Sequence, residues 1–160
     1  MKNFFLWLHA ASFITWFGGL FFYLVVASPA VRKAPDLDGM RFLNELDRRF
    51  RHVLWVSVEI VLVTGVMLLV LNMLERGTMM KISGAYTRVL MGKLFLTLLM
   101  FGLQLYNQIR IQPGKTALAD GQKDPERFAS LQARTVQVYT MELILAAGLV
   151  MLGLHMGNVF

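Results

Sequence analysis

Four long apolar runs separate the charged residues of this sequence, and each run is about as long as a membrane is thick. The runs extend from about residue 4 to 27, 52 to 74, 89 to 111 and 136 to 159. A helix crosses a hydrocarbon core of roughly 30 Å with about 20 residues, whereas a strand of a membrane barrel needs only about 10. We therefore predict an all-α membrane protein, in which residues 1–160 form one transmembrane domain, a four-helix bundle in the lipid bilayer.

Helix-breaking residues follow the first three apolar runs, where the predicted spans should end. These breakers are Ser28-Pro29, Arg76-Gly77 and Gln112-Pro113-Gly114. Proline has no backbone N–H and its ring clashes with the preceding turn, so it usually stops a helix. Two charged segments, 36–51 and 124–134, are predicted to form short amphipathic helices at the membrane surface, the second starting at Asp124-Pro125-Glu126.

Lysine and arginine are distributed unevenly between the two sides of the predicted bundle. The first and third connections hold eleven of these residues, counting those at the helix ends, and the opposite side holds five. Short loops rich in Lys and Arg stay in the cytoplasm, so both termini are predicted to be periplasmic. The net charge of +6 fits a membrane surface, and no nucleic-acid partner is expected. The sequence has no cysteine, which excludes disulfides and thiolate metal sites.

The second half of the sequence resembles the first when the two are aligned. One alignment pairs Phe17-Gly18 with Phe101-Gly102 and Pro29 with Pro113, whereas an alignment shifted by a single position pairs Glu59 with Glu142 and Gly65 with Gly148. We therefore predict a tandem repeat of a two-helix hairpin, although chance similarity between apolar helices is the alternative. Two helices per unit preserve the direction of crossing, so a pseudo-two-fold axis along the membrane normal should relate the two halves.

Ionisable side chains within the apolar runs are the strongest candidates for function, because inserting one costs about 2.5–3.5 kcal/mol even on lenient scales. Counting the helix ends, they are His9, His52, Glu59, Lys93, Glu142 and His155. The repeat pairs His9 with Lys93 and Asn72 with His155, all near the outer ends of the spans. A ring of polar groups is therefore predicted in the outer third of the bilayer. Helical spacing predicts an inward stripe on the first helix that contains His9, Ser12, Trp16, Gly19 and Tyr23.

Two of these histidines are candidate metal ligands. His9 and His155 lie near helix ends on the same side, so their imidazoles can approach each other. Two neutral imidazoles ligate the iron of a six-coordinate haem, and Gly18, Gly65 and Gly148 leave room for the flat macrocycle. A haem b is the functional interpretation. The alternative is a pair of interfacial histidines that bond to the backbone or to lipid headgroups.

Other polar residues of the spans are assigned less directly. Lys93 either pairs with a haem propionate or extends to the membrane surface, and Asn72 and Trp16 are predicted to line the same cofactor site. His52 is interpreted as an interfacial histidine rather than a ligand, because it adjoins Arg51 at the cytoplasmic edge.

Methionine offers a competing interpretation of the outer side. Met73, Met79, Met80 and Met156 lie on the same predicted side as His155. Thioether and imidazole groups suit Cu(I), so copper is the alternative metal. Methionine also fills irregular gaps in membrane bundles, and these residues have no specific metal-ligand spacing.

Glu59 and Glu142 occupy equivalent positions in the repeat, toward the cytoplasmic ends of their helices. Burial should keep at least one of them protonated. They are interpreted either as a proton relay between the cytoplasm and the outer site or as partners of neighbouring hydroxyl groups such as Ser57 and Thr140.

Short motifs in all four runs give the chain a resemblance to the copper-resistance D superfamily of bacterial membrane proteins. They are Leu8-His9 through Trp16-Phe17-Gly18-Gly19-Leu20, Leu62-Val63-Thr64-Gly65, Tyr86 through Gly92-Lys93-Leu94 to Asn107, and Met141-Glu142-Leu143. The first helix and Lys93 also resemble the haem-containing protoporphyrinogen oxidases of the HemJ type. That similarity implies functional roles for His9 and Lys93 and implies haem binding, whereas the copper-resistance members imply copper uptake.

Together these patterns predict a b-type haem protein of the bacterial inner membrane, with the haem near the periplasmic face. It would transfer single electrons, with a quinone, a porphyrinogen or other membrane redox subunits as partners, and would act alone or as a homo- or hetero-oligomer. The alternatives are a copper permease and a small non-catalytic subunit of a respiratory complex.

Overall fold

The computed structural model describes residues 1–31, 37–75, 84–120 and 124–157, and these ranges are almost entirely helical without any strand. The helices are α1 (Lys2–Phe22), α2 (Ser28–Val31), α3 (Leu37–Glu75), α4 (Gly84–Tyr106), α5 (Gln112–Asp120) and α6 (Pro125–Gly157), with π-helical turns at Tyr23–Ala27 between α1 and α2 and at Asn107–Ile111 between α4 and α5. The all-α fold class is confirmed.

Four helical stretches are long and apolar enough to cross a membrane, as predicted. They are Lys2–Ala27, Asp38–Leu74, Thr87–Asp120 and Pro125–Leu154. Large apolar side chains are exposed on the outside of the bundle, among them Trp7, Ile14, Val63, Phe95, Leu98 and Ile144. Such a surface suits lipid, because hydrocarbon tails solvate apolar side chains as well as the protein interior does. The chain is therefore a multi-pass membrane protein whose environment is the lipid bilayer.

The long helices extend beyond the predicted spans at their charged ends. Residues of the predicted surface helices, 37–51 and 125–134, belong to α3 and α6 without a break. Extending an existing helix adds one hydrogen bond per residue, and neither junction contains proline or glycine to interrupt it. The predicted start of α6 is confirmed, because the Arg127 N–H donates a hydrogen bond to the Asp124 side chain at 3.0 Å.

Pro29 and Pro113 do not end their helices, so the predicted helix ends at these residues are wrong. A π-helical turn precedes each proline, and the N–H of the residue before the proline bonds to the carbonyl five residues earlier. The helix then continues through the proline as α2 or α5. The wider turn displaces the carbonyl that the proline ring would otherwise strike, so the chain passes the proline without breaking.

The two π turns also confirm the tandem repeat. They begin at Tyr23 and Asn107, and the alignment that pairs Pro29 with Pro113 pairs these two residues as well. Both Tyr23 and Asn107 are fully buried. The first hairpin (α1, α2 and α3) and the second hairpin (α4, α5 and α6) each pair a first helix that contains a π turn with a long second helix that has none.

A core of buried side chains joins the two hairpins. The Tyr23 ring stacks on Phe50 of its own hairpin and meets Tyr139 of the other edge-on, with ring centroids 5.0 Å apart in each case. Gly19 lets α1 approach Phe50 closely, as small residues commonly do in membrane bundles. We call the end that holds residues 1, 75, 84 and 157 the terminal end, and the end that holds residues 31, 37, 120 and 125 the basic end.

Candidate functional site

His9 is held against α3 by a specific contact. Its Nδ1 atom lies 2.9 Å from the hydroxyl oxygen of Thr64, and the half-buried ring lies beside Gly65. A Cβ atom at position 65 would be 3.4 Å from the ring Cε1, so the glycine gives the imidazole an uncrowded surface. Thr64 is itself buried, which fixes the position of its hydroxyl group.

The hydrogen bonds of Thr64 favour one assignment of the proton on the His9 ring. The Thr64 hydroxyl donates to the carbonyl of Ile60, so its oxygen is left to accept a hydrogen bond from the Nδ1–H of His9. Assigned from this network, the neutral imidazole has its free lone pair on Nε2. An oriented imidazole of this kind is typical of metal-ligating histidines.

Lys93 lies in the second hairpin and faces the same end of the bundle. Its Nζ atom is 3.9 Å from where a Cβ atom of Gly153 would lie, so the side chain extends over a small residue of α6. The ammonium also acts electrostatically on His9. The structure thus brings His9 and Lys93 into one electrostatic environment, and the half-buried Lys93 side chain faces α6.

Of the other predicted site residues at the terminal end, Asn72 is not brought to His9. Asn72 is half-buried, and it lies eight residues beyond Thr64 on α3, which corresponds to roughly 12 Å along the helix axis. Met73 is about half exposed. Met79 and Met80, and the side chains of His155 and Met156, lie outside the described residues. Within the described ranges, no group of three or more His, Asp or Glu side chains can hold a metal ion.

The predicted inward stripe of α1 is confirmed. Ser12, Trp16 and Tyr23 are buried, Gly19 contacts Phe50, and His9 is half-buried at the terminal end of the stripe. Trp16 lies in the core with its ring edge-on to Phe13, and its indole N–H has no hydrogen-bond partner among the described residues. Its place in a cofactor site stays a prediction.

The prediction that Glu59 and Glu142 are equivalent is wrong. Glu59 is exposed on the outside of α3, whereas Glu142 is completely buried in α6. Neither carboxylate oxygen of Glu142 has a hydrogen-bond partner in the described part of the chain. His52 is exposed, which agrees with the interpretation that it is no ligand.

A different register relates the inward faces of α3 and α6. The buried residues Asp47, Leu54 and Ser57 of α3 correspond to Gln132, Tyr139 and Glu142 of α6. This register differs by two positions from the one that pairs the two glutamates, and two positions of a helix are about 200° of rotation. Pairing the glutamates therefore matches opposite faces of the two helices. The counterpart of Glu142 is Ser57.

Sequence reasoning missed a buried polar cluster at the basic end. The basic-end cluster consists of Tyr23, Asp47, Lys115 and Gln132, one from each of the four long helical stretches. Asp47 accepts hydrogen bonds from the Tyr23 hydroxyl and the Lys115 ammonium, which also donates to the Gln132 side-chain carbonyl. The Gln132 amide donates to the Tyr23 oxygen at 3.0 Å, which closes the network.

Lys115 was expected in a loop, because it follows the Pro113-Gly114 breaker and contributes to the positive charge of the third connection. The π turn carries the helix past this breaker, and Lys115 turns into the bundle with 0% of its side chain exposed. Asn107, Ile111 and Lys115 recur every four residues on the buried face, and this helical spacing is the sequence signal that could have located Lys115 inside the bundle.

Comparison with curated proteins and with solved structures found no match. A family model described as copper resistance protein D matches residues 45–156. The match covers more than half of the chain and includes Thr64, Lys93 and Glu142 together with three residues of the basic-end cluster. The chain therefore belongs to the copper resistance protein D family of membrane proteins.

Proposed function

We propose that this protein handles copper at the membrane and takes up Cu(I) through a site at the terminal end, with the Nε2 atom of His9 as one ligand. The observation that carries the proposal is the Thr64 hydrogen bond, which orients the imidazole and, in the assigned tautomer, leaves the Nε2 lone pair free. Membership of the copper resistance protein D family supports copper as the substrate.

The ligand chemistry near His9 suits a transported ion better than a permanently bound one. Imidazole nitrogen and methionine sulfur prefer Cu(I), and Met73 is an exposed thioether on α3 toward the same end. A conducting site must release its ion, so strong coordination would work against transport.

Haem b is the second candidate, and the environment of His9 also favours it. A haem held by His9 and His155 would supply one-electron chemistry, with a quinone or another membrane redox subunit as partner. In that case Thr64 would orient the axial imidazole and Lys93 would stand beside it to pair with a propionate. The structural support for haem binding comes from His9 and the residues around it.

The copper proposal can be tested by transport into liposomes. Purified protein is reconstituted into liposomes that contain a fluorescent Cu(I) chelator, and Cu(I) is added outside with a reductant. We expect uptake by the wild-type protein, a loss of uptake in His9→Ala, and normal uptake in His52→Ala, because His52 is exposed and makes a matched control.

A pyridine haemochrome spectrum of the same preparations separates the two candidates. Stoichiometric b haem that disappears in His9→Ala, together with an absence of copper uptake, would replace the copper proposal with the haem one. Wild-type protein that neither transports copper nor binds haem would exclude both.

We further propose that the terminal end faces the periplasm of the bacterial inner membrane, because the connections at the basic end hold most of the lysine and arginine. The chain has no cysteine, so Asn3→Cys and Ala129→Cys introduce single exposed thiols at the two ends. A membrane-impermeant maleimide should label position 3 and spare position 129 in cells with a permeabilised outer membrane. The reverse pattern would invert the orientation.

A further inference from the structure

The inner face of α6 carries polar side chains at every turn of its basic half. Gln132, Thr135, Tyr139 and Glu142 recur at helical spacing and are all buried. The helical stretch Thr87–Asp120 packs against α6 and supplies four more buried polar residues, Gln104, Asn107, Gln112 and Lys115. We call these eight residues the polar seam. Buried polar side chains are rare in a membrane bundle and have a use where they occur.

The polar seam reaches the middle of the bundle and ends there. Glu142 lies ten residues beyond Gln132 along α6, about 15 Å from the basic-end cluster. Toward the terminal end, the next inward residues of α6 are apolar or small, and Gly148 packs against Leu96. Lys93 lies beside Gly153 of α6, about 16 Å beyond Glu142. Among the described helices, the buried polar side chains of the seam therefore run from Glu142 toward the basic end.

Several polar atoms around Glu142 lack partners among the described residues. Both carboxylate oxygens of Glu142, both amide atoms of Gln104 and the hydroxyl of Tyr139 are buried without a hydrogen bond of standard geometry. Gln104 lies close enough to Glu142 to interact with it. Groups of this kind require protons or water to complete their hydrogen bonds, and water occupies polar sites that offer it two to four partners.

Glu142 also has no adjacent cation to neutralise it within the described helices. Among the charged groups on the helices packed against α6, Asp47 and Arg51 lie near Tyr139, Lys115 belongs to the basic-end cluster, Lys93 lies beside Gly153, and Glu59 is on the outside of α3. An isolated carboxylate in a low-dielectric interior is strongly disfavoured, and the group takes up a proton instead. Burial and isolation thus favour the neutral acid at this position.

Tyr139 provides the connection from Glu142 toward solution. It lies one helical turn from Glu142 and interacts electrostatically with both Glu142 and Asp47. Asp47 belongs to the basic-end cluster, and one turn further out the exposed Thr116 hydroxyl donates to Asn44 at 3.3 Å. A series of hydroxyl, carboxyl and amide groups therefore runs from the middle of the membrane to the surface.

We propose that Glu142 is a proton-binding site inside the membrane, which exchanges its proton with the solution at the basic end through Tyr139 and the basic-end cluster. A proton from water at the basic end passes along the seam to the Glu142 carboxylate, and the same route returns it. The only bonds made and broken are O–H bonds, so no oxidant or further reactant is needed. The proposal does not depend on which metal the terminal end binds.

Infrared spectroscopy of the full-length protein in lipid nanodiscs tests the site. We expect a C=O stretching band of a protonated carboxyl group at neutral pH, which shifts in D2O and is lost in Glu142→Gln. The variants are compared in a Glu59→Gln background, which removes the carboxyl group in the apolar part of α3. The matched control is Glu45→Gln, because the Glu45 carboxylate pairs with Arg48 and Arg49 and its replacement should leave this band in place. A band that persists in Glu142→Gln, or none in the wild type, would overturn the proposal.

The rate at which the band shifts after transfer to D2O tests the route. We expect Tyr139→Phe to slow the exchange about tenfold or more, because it removes one relay hydroxyl and little else. Ser12→Ala removes a buried hydroxyl on the terminal side of Trp16 and should leave the rate unchanged. A slower exchange in Ser12→Ala with a normal rate in Tyr139→Phe would assign access to the terminal end instead. Equal rates in both variants would exclude the route through Tyr139.

Discussion

The two hairpins share a backbone plan but differ in what they bury. Each has a π turn before the proline of its first helix, followed by a continuous second helix. The first hairpin contributes mainly aromatic and apolar side chains to the interior and has polar contacts at both ends, where His9 meets Thr64 and where Tyr23 and Asp47 join the basic-end cluster. The second hairpin contributes the polar seam in its basic half. The duplicated backbone was thus kept while the interior chemistry of the copies diverged.

The difference shows that residues that align in the two halves of the sequence need not have the same environment in the structure. Glu59 and Glu142 align in the sequence, yet only Glu142 faces inward, because the buried face of α6 aligns with that of α3 two positions further along. The π turns are equivalent in position, but Tyr23 joins the basic-end cluster whereas Asn107 lies beside Tyr139. Each hairpin therefore supplies one half of an asymmetric interior.

The largest loss of stability should come from disrupting the basic-end cluster, which joins the two hairpins. Asp47→Ala leaves the ammonium of Lys115 buried without its carboxylate, and removing one partner of a buried ion pair typically costs about 3–5 kcal/mol. We expect a loss of that size in the free energy of unfolding, measured by denaturant titration in mixed micelles.

The control for this prediction lies on the same helix. Glu45 pairs with Arg48 and Arg49 on the exposed face, so Glu45→Ala should leave the unfolding transition in place. If Asp47→Ala were as stable as Glu45→Ala, the basic-end cluster would not hold the two hairpins together. The double variant Asp47→Ala/Lys115→Met should recover part of the loss, because the unpaired buried charge is then gone.

An effect of intermediate size, on metal affinity, is expected from removing the Thr64 hydroxyl that holds the His9 imidazole. Thr64→Val keeps the shape of the side chain but removes the hydroxyl that accepts from His9. Losing such an orienting partner typically lowers metal affinity about 10–100-fold, so Cu(I) binding measured by competition with a chelator should weaken by that factor. Thr140→Val is the matched control, since Thr140 is exposed and bonds only to its own helix. Equal affinity in both variants would mean that Thr64 does not orient a ligand.

Much of the fold follows from the sequence, because the dominant constraint is local. Run length and hydropathy predicted four spans, and the similarity between the two halves predicted the repeat. The prolines gave the wrong helix ends, since a π turn depends on the geometry of a whole helical turn rather than on one residue. That error removed Lys115 from the helix and so concealed the basic-end cluster.

The candidate site was only partly predictable for a different reason. The inward role of His9 followed from helical spacing, but Thr64 carries no signal as its partner, because the contact depends on how α1 packs on α3. The burial of Glu142 likewise depends on the rotation of α6, which periodicity fixes only to within about one residue, or about 100°. Pairings between helices are properties of packing and not of either sequence segment.

The smallest change in stability should distinguish alanine substitutions at two adjacent glycines of the first hairpin, Gly18 and Gly19. A Cβ atom at Gly19 would lie 3.1 Å from a Phe50 ring carbon, whereas one at Gly18 would meet nothing within 4 Å. Phe50 is held between Tyr23 and Tyr139 and has little freedom to move away. Gly19→Ala should therefore lower the free energy of unfolding by about 1 kcal/mol, at the low end of the cost of overpacking.

Gly18→Ala should be neutral or slightly stabilising, because alanine has the higher helix propensity and the site is open. Gly102, which corresponds to Gly18 in the second hairpin, is also open, so Gly102→Ala should behave in the same way. Denaturant titration of the three variants under one set of conditions makes the comparison. A loss in Gly18→Ala or Gly102→Ala as large as that in Gly19→Ala would show that these positions pack against something that the single chain does not contain, such as a second protein in the membrane.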